Sequence, residues 1–496
     1  MKKNLFFSCL VCLIFIAVFI FQQNTINFNN EQVLSWLKVK NMSFDSSTEV
    51  IPPNPKSFFS TYDTFTNAVD NVHRGKYMTE GIPLDMYLFY KRWLVDDNEL
   101  DNILNEETNS STFKSKAHSV DGFSLNYSKG IKVLNANCFK CHSSQINGNL
   151  VYGLGNVYSN YQKSKRIEAS LLTIYKNWLA SDSDKIAMGN FNNLYENIAK
   201  NTSTSNPIVN PAFRLEESCM QNLNPRDLKF TSTANFQIDP NTLASDTPPL
   251  WNIRFKDALY FNGMGRGSFE KLILQITMFG NPDTLSLRKS IGLFKIILNW
   301  ASKNNPPIYP KKVNQKMVYN GQVIYNRICS NCHGKPINLN NKIWSYKTQL
   351  VSIDEVKTDP FYAIYFVIKS NLPAWYNNSW FSKSTPNSNL YPKLAYVAPP
   401  LAGIWATAPY LHNGSIPDLR SLLKSYNRPK FWKMEYNSKK NYDLNSVGLI
   451  YKVHLEKRDL MVFDTTIPGY WNTGHNYSDH LSNKELDELL EYLKTL

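Results

Sequence analysis

The sequence predicts a mainly α-helical protein with long loops and little β-structure. Three stretches support this expectation: an amphipathic stretch at residues 291–300, an apolar stripe at residues 317–328 and a leucine-rich segment at residues 481–493. In the last two, apolar residues recur at steps of three and four, the spacing of one helix face. The chain has 496 residues, 43% of them hydrophobic and 14% aromatic. This is enough for two or three hydrophobic cores.

The N-terminus has the layout of an export signal. Lys2 and Lys3 precede an uncharged, mostly apolar run at residues 5–21, and polar residues follow it. No small-x-small cleavage site follows, and the run is at the short end of the membrane-spanning range, so a removed signal peptide and an uncleaved anchor both stay open. We therefore expect residues 1–25 to be an export signal or membrane anchor, and residues 26–50 to be a polar tether.

A domain boundary is expected near residue 305. Pro306 and Pro307 follow the polar run at residues 302–305, and consecutive prolines end a helix. The prediction is an N-terminal domain at residues 51–305 and a C-terminal domain at residues 306–496.

Two helices of the C-terminal domain are expected to cross. The stripe that precedes residue 329 consists of Met317, Gly321, Ile324 and Ile328. Near the C-terminus, Ser482 and Glu485 have the spacing of a capping box, which starts a helix with a buried leucine face. Gly321 and Tyr492 are the expected contact; the alternative is two unrelated amphipathic helices.

Two copies of one pattern indicate the chemistry. The copies are Cys138-Phe139-Lys140-Cys141-His142 and Cys329-Ser330-Asn331-Cys332-His333. Cys-x-x-Cys-His is the attachment site of c-type haem, because two thiols three residues apart fit the two vinyl groups of one porphyrin and the adjacent histidine ligates the iron. A zinc site built from both cysteine pairs, or disulfides, are the alternatives. The prediction is two covalently bound c-type haems, with His142 and His333 as proximal iron ligands and a cytochrome c-like fold for each domain.

Compartment and charge agree with an exported redox protein. Haem of this type is attached outside the bacterial inner membrane, so we expect a periplasmic or secreted protein, with inner-membrane association through the N-terminus as the alternative. The net charge of +14 is spread among asparagines without a dense basic run, which argues against nucleic-acid binding. An acidic electron-transfer partner, such as an acidic cytochrome or a cupredoxin, is expected instead.

Residues 398–415, APPLAGIWATAPYLHNGS, resemble the segment that marks the bacterial di-haem cytochrome c peroxidase superfamily, in the form seen in the rubber oxygenase branch. Neighbouring stretches agree, and the resemblance covers roughly residues 70–496. These stretches are residues 148–156, 246–251, 260–263 and 472–475.

The resemblance implies roles for particular residues. His142 becomes proximal at an oxygen-binding haem, His333 becomes proximal at an electron-relay haem, and His475 becomes the distal ligand of that relay haem. Trp251, with Leu250 and Phe261, would line the distal pocket of the reactive haem; the alternative for these side chains is ordinary core.

Three functions are compatible with these features. The first is O2 activation at the N-terminal haem for oxidation of an apolar small-molecule or polymer substrate, with the C-terminal haem as relay. The second is H2O2 reduction, and the third is a plain electron carrier. The chain is shorter than rubber-cleaving members, and Leu250 stands where many relatives carry a second aromatic residue, so the polymer substrate is the weakest part of the resemblance.

Overall fold

The computed structural model describes residues 48–53, 72, 77–87, 122–162, 166–240, 243–280, 283–338, 343–435, 437 and 439–496. The predicted export signal and nearly all of the predicted tether lie outside these residues. No helix within the described ranges is both long and apolar enough to span a bilayer.

The described residues form many short elements. The α-helices are α1 Phe139–His142, α2 Arg166–Trp178, α3 Asp182–Met188, α4 Phe191–Asn201, α5 Ala212–Met220, α6 Phe269–Leu274, α7 Thr284–Lys303, α8 Gln315–Ile328, α9 Ser330–His333, α10 Ile353–Val356, α11 Phe361–Ile364, α12 Leu372–Asn377, α13 Trp380–Lys383, α14 Leu419–Leu423 and α15 Asn483–Leu493. The 3₁₀-helices are Leu250–Arg254, Gln275–Gly280, Ile404–Ala406 and Ser425–Asn427, and a π-helical turn spans Tyr365–Lys369.

The strands are two to six residues long. They are β1 Glu49–Val50, β2 Ile82–Pro83, β3 Phe123–Ser128, β4 Ile131–Ala136, β5 Ser143–Ile146, β6 Asn149–Tyr152, β7 Gly265–Gly267, β8 Lys335–Asn338, β9 Ile343–Ser345, β10 Gln349–Ser352, β11 Ser388–Leu390, β12 Ala395–Ala398, β13 Phe431–Met434, β14 Tyr442–Asp443, β15 Gly448–Leu449, β16 Tyr451–His454 and β17 Phe463–Asp464. Three-stranded sheets have the orders β1-β10-β12, β16-β13-β17 and β2-β4-β3. Two-stranded sheets pair β11 with β7, β14 with β15, β5 with β6 and β8 with β9.

The prediction of a mainly α-helical protein made of two cytochrome c-like haem domains is wrong. Among the described residues the structure is mixed, with 39% helix, 17% strand and several small sheets. Strands this short carry too little alternation to be recognised from sequence, and most of them pair only because the tertiary fold brings them together. The two-residue turn between β3 and β4 has positive φ at both Lys129 and Gly130. Because lysine is not typical of the first position of such a turn, the sequence did not predict this hairpin.

The crossing of the helices that flank the second motif is confirmed. Helices α8 and α15 pack together so closely that a Cβ on Gly321 would lie 2.8 Å from Cβ of Tyr492 and would overlap the carbonyl of Glu488. The capping box is also confirmed: Ser482 Oγ accepts from the Glu485 backbone N–H, and the Glu485 carboxylate accepts from the Ser482 N–H. The leucines of α15 are buried against this contact.

Segments from both sides of residue 305 share the interior. Helix α7 ends at Lys303, as the prolines predict. Strand β7 pairs with β11, and Phe213 packs edge-on against Tyr362 at 5.7 Å. One large core combines residues 139–301 with residues 353–396, so the walls of the interior come from both parts of the chain.

Candidate haem-binding site

The first motif lies on a single helical turn between two hairpins. Strand β4 leads into Cys138, and β5 begins directly after His142. The His142 N–H donates to the Cys138 carbonyl at 2.9 Å, and the Cys141 N–H donates to the same oxygen at 3.3 Å. Asn156 secures the turn, because its side chain donates to the Lys140 carbonyl and its backbone N–H donates to the Cys141 carbonyl. The two thiols and the imidazole are thus held on one rigid turn.

The second motif has the same local conformation on a different support. Helix α8 delivers Cys329, whose carbonyl accepts from the His333 N–H at 3.0 Å and from the Cys332 N–H at 3.2 Å. Gly334 follows with φ of +67°, a left-handed conformation that turns the chain into β8. The same five-residue pattern therefore adopts the same turn in both places.

No disulfide bond joins the described cysteines. Burial raises the pKa of the Cys138 thiol to about 11, and it also raises the pKa of Cys141. Within the described ranges, no three His, Cys, Asp or Glu side chains gather as a metal site, so the cysteine pairs do not meet as a zinc centre.

A proline carbonyl orients the imidazole of His333. Nδ1 of His333 lies 2.7 Å from the carbonyl oxygen of Pro399, so Nδ1 carries the proton and the lone pair of Nε2 is free for a metal. The corresponding carbonyl near His142 belongs to Pro248, also the first residue of a Pro-Pro pair. Burial lowers the pKa of His142 to about 4 and Pro248 opposes this shift, but Nδ1 of His142 makes no hydrogen bond within the described structure.

His475 faces His333. Their ring centroids are 6.1 Å apart, which leaves room for one metal ion between two imidazole nitrogens, since metal–imidazole bonds are about 2 Å long. Nδ1 of His475 is buried without a partner in the described structure. Burial, with His333 and Arg428 next in importance, lowers the pKa of His475 to about 3, so the ring is neutral and able to ligate.

The loop that carries His475 is tied down at several points. His475 itself has φ of +51°, and its N–H donates to the Val356 carbonyl at 2.8 Å. Arg428 Nη1 donates to the carbonyls of Asn472 and Gly474 at 2.7 Å. Asp359 accepts from the backbone N–H groups of Gly469 and Trp471, two further anchors of the loop. The position of the imidazole is therefore set by the fold.

Both motifs open on one interior cavity of about 860 Å³ with mostly apolar walls. His333 and His475 keep some accessible area because they face this space. The wall includes both cysteine pairs, Cys138 with Cys141 and Cys329 with Cys332. It also includes the three predicted iron ligands, His142, His333 and His475. Paired thiols on a rigid turn, free imidazole nitrogens and an apolar enclosure fit a haem-binding site.

The predicted pocket residues divide into two groups. Leu250 and Phe261 lie on the cavity wall, but Trp251 does not. Trp251 is fully buried, and its indole N–H donates to the Ala402 carbonyl at 2.9 Å, which attaches the Leu250–Arg254 turn to the segment that follows Pro399. The roles of Leu250, Trp251 and Phe261 in the distal pocket of the reactive haem stay predictions.

Sequence reasoning missed three polar cavity residues. Glu216 is a buried carboxyl on the wall, Asp246 is a partly buried one, and His412 stacks on Tyr396 with ring centroids 4.1 Å apart. Glu216 occurs in an amphipathic helix beside a second glutamate, and nothing in that pattern separates a cavity carboxyl from a solvated one.

Comparison with known proteins points to a haem-related role. A family model described as RoxA-like, cytochrome c-like matches residues 395–433, which include Pro399 and His412. This supports the rubber oxygenase and cytochrome c resemblance at a coarse level and does not show the di-haem peroxidase superfamily.

Two similar proteins come from Sinorhizobium fredii (strain NBRC 101917 / NGR234), and both are named as uncharacterized proteins. The chain is 25% identical to y4iJ in an alignment of 329 positions that covers 50% of this chain and 54% of that protein. It is 24% identical to y4iM in an alignment of 302 positions that covers 54% of this chain and 68% of that protein. The chain thus spans about half the length of the first relative.

Proposed function

We propose that the chain is an exported c-type cytochrome with two covalently bound haems, which oxidises an apolar substrate with O2. The observation that carries this proposal is the common cavity, on which both Cys-x-x-Cys-His motifs and His475 open. The haem attached at Cys138 and Cys141 would be the reactive one, and the haem at Cys329 and Cys332 would be the electron relay. When bound, haem supplies oxygen binding and electron transfer, and the protein supplies ligands, orientation and exclusion of water.

The residues that surround the two Cys-x-x-Cys-His motifs differ. Near the second motif, Pro399 fixes the tautomer of His333 and the anchored loop presents His475 opposite it, so these two imidazoles would hold the iron of a haem that serves as an electron carrier. Among the described residues, the paired imidazoles are those of His333 and His475, at the second motif. Leu250 and Phe261 contribute apolar surface to the cavity, which favours O2 and an apolar substrate over water.

Oxygen uptake tests the proposed reaction. The purified protein should consume O2 when given squalene, an isoprenoid olefin, and should turn over H2O2 only slowly with a reduced cytochrome as donor. The matched control is the double variant Cys138→Ser/Cys141→Ser, which should keep the relay haem and lose O2 uptake. Rapid peroxide turnover without O2 uptake on any olefin would instead establish a peroxidase, and a protein inert to both oxidants would be an electron carrier.

A further inference from the structure

One carboxyl on the cavity wall ends a chain of hydrogen bonds. Glu216, on helix α5, is 7% exposed, and its Oε2 accepts from the Tyr260 hydroxyl at 2.9 Å. Gln275 Nε2 in turn donates to the Tyr260 oxygen and to the Leu272 carbonyl. This chain fixes the position of one oxygen of Glu216.

The second oxygen of Glu216 is available to a ligand. Among the described residues, Oε1 of Glu216 has no hydrogen-bond partner. This atom retains some accessible surface. Glu216 lines the cavity in which a ligand would lie.

The adjacent Glu217 shows why Glu216 is neutral. Arg214 Nη1 pairs with Glu217 at 3.0 Å, and the hydroxyls of Tyr365 and Ser370 donate to the same carboxylate. The buried cation of this helix therefore neutralises Glu217 and not Glu216. Burial raises the pKa of Glu216 to about 8, with Tyr260 lowering it and Glu217 raising it. At neutral pH Glu216 therefore carries a proton.

The tyrosines and the cysteine around Glu216 stay neutral in the same range. They are Tyr260, Tyr362 and Tyr376 from neighbouring segments and Cys219 on the same helix, and burial raises the pKa of each. Glu217 remains paired with Arg214. Lys256 lies on the same cavity wall, and burial lowers its pKa to about 8, so the Glu216→Gln variant, rather than the pH range alone, assigns a pH effect to Glu216.

The surroundings of Glu216 are apolar. Phe213, Leu215 and Phe261 lie on the same wall, and the Phe261 ring meets Tyr362 edge-on at 6.2 Å. A protonated carboxyl beside these apolar side chains can recognise a polar atom on an otherwise apolar molecule, and burial makes that bond selective.

We propose that Glu216 donates a hydrogen bond from its protonated carboxyl to an oxygen atom of the ligand, so that the cavity selects an apolar molecule with one hydrogen-bond-accepting oxygen over a pure hydrocarbon. This deepens the proposed function, because it names the class of substrate, and it rests on that function for the identity of the cavity as the substrate site.

Binding of two ten-carbon probes tests the proposal. The haem-loaded protein should bind 2-decanone about fivefold more tightly than 1-decene at pH 6.5, the size expected for one net hydrogen bond of about 1 kcal/mol. A ketone accepts hydrogen bonds and cannot donate them. The preference should therefore disappear as the pH rises through the pKa of Glu216 and the carboxyl loses its proton. Equilibrium dialysis from pH 6.5 to 9.5 measures both affinities.

Three variants separate this role from a structural one. Glu216→Gln keeps a donor that does not titrate, so the preference should persist at every pH. Tyr260→Phe removes a bond that stabilises the carboxylate, so the midpoint of the pH dependence should move upward. Asp246→Asn changes another carboxyl on the cavity wall and should leave the midpoint in place.

Other outcomes would overturn the assignment. It fails if the wild-type preference is absent or does not change with pH, if Asp246→Asn rather than Glu216→Gln removes the pH dependence, or if Glu216→Gln lowers H2O2 turnover without changing ketone binding. Because the measurement is of binding, a failure to consume O2 contradicts the proposed function and leaves this result standing.

Discussion

Replacing His475 with alanine should convert one haem per chain from low-spin to high-spin and leave the other unchanged. The imidazole lies 6.1 Å from that of His333, centroid to centroid, and the loop that carries it is anchored through Val356, Arg428 and Asp359. Removal of the ring leaves no other side chain fixed in that position, while Cys329 and Cys332 keep the haem attached. Absorption and EPR spectra of the purified variant measure the spin state, and a haem assay checks that the haem content is unchanged.

The matched control is His480→Ala. His480 is exposed, lies five residues further along the chain and should leave both spectra as they are in the wild type. An unchanged spectrum in His475→Ala would remove His475 as the ligand and direct attention to His412, His454 or a methionine.

Gly321→Ala should lower the free energy of unfolding by about 3 kcal/mol, because a Cβ there overlaps the Glu488 carbonyl of helix α15 and forces the crossing helices apart. The same substitution at Gly292, in the exposed part of helix α7, adds a Cβ that meets nothing within 4 Å. Gly292→Ala should therefore raise the free energy of unfolding by about 0.8 kcal/mol through helix propensity alone.

Denaturant unfolding of the haem-loaded protein compares the two alanine variants. Opposite signs are expected. Equal effects would show that helix propensity, rather than the close approach at Gly321, decides the stability of this region.

Local patterns in the sequence predicted several individual features correctly, although the predicted fold class was wrong. The Cys-x-x-Cys-His turn, the capping box at Ser482 and the glycine at the helix crossing each depend on a few residues close together, and each has one geometry that suits it. The end of helix α7 before Pro306 was also predicted, because consecutive prolines are a local signal that ends a helix.

Long-range packing explains what the sequence did not reveal. Strand β7 exists because β11, more than 120 positions later, pairs with it, and neither three-residue segment has a recognisable pattern. Glu216 becomes a cavity residue only because Tyr260 and the apolar wall are brought to it by the fold. Trp251 was assigned to a pocket by resemblance, yet its indole binds the Ala402 carbonyl, a partner that no local pattern indicates.

The haem content of the purified protein tests the central claim most directly. A pyridine haemochrome assay after acid-acetone extraction should give two c-type haems per chain, and Cys329→Ser/Cys332→Ser should reduce this to one. One haem in the wild-type chain, haem that is extracted by acid-acetone, or zinc in place of haem would contradict the assignment of both motifs.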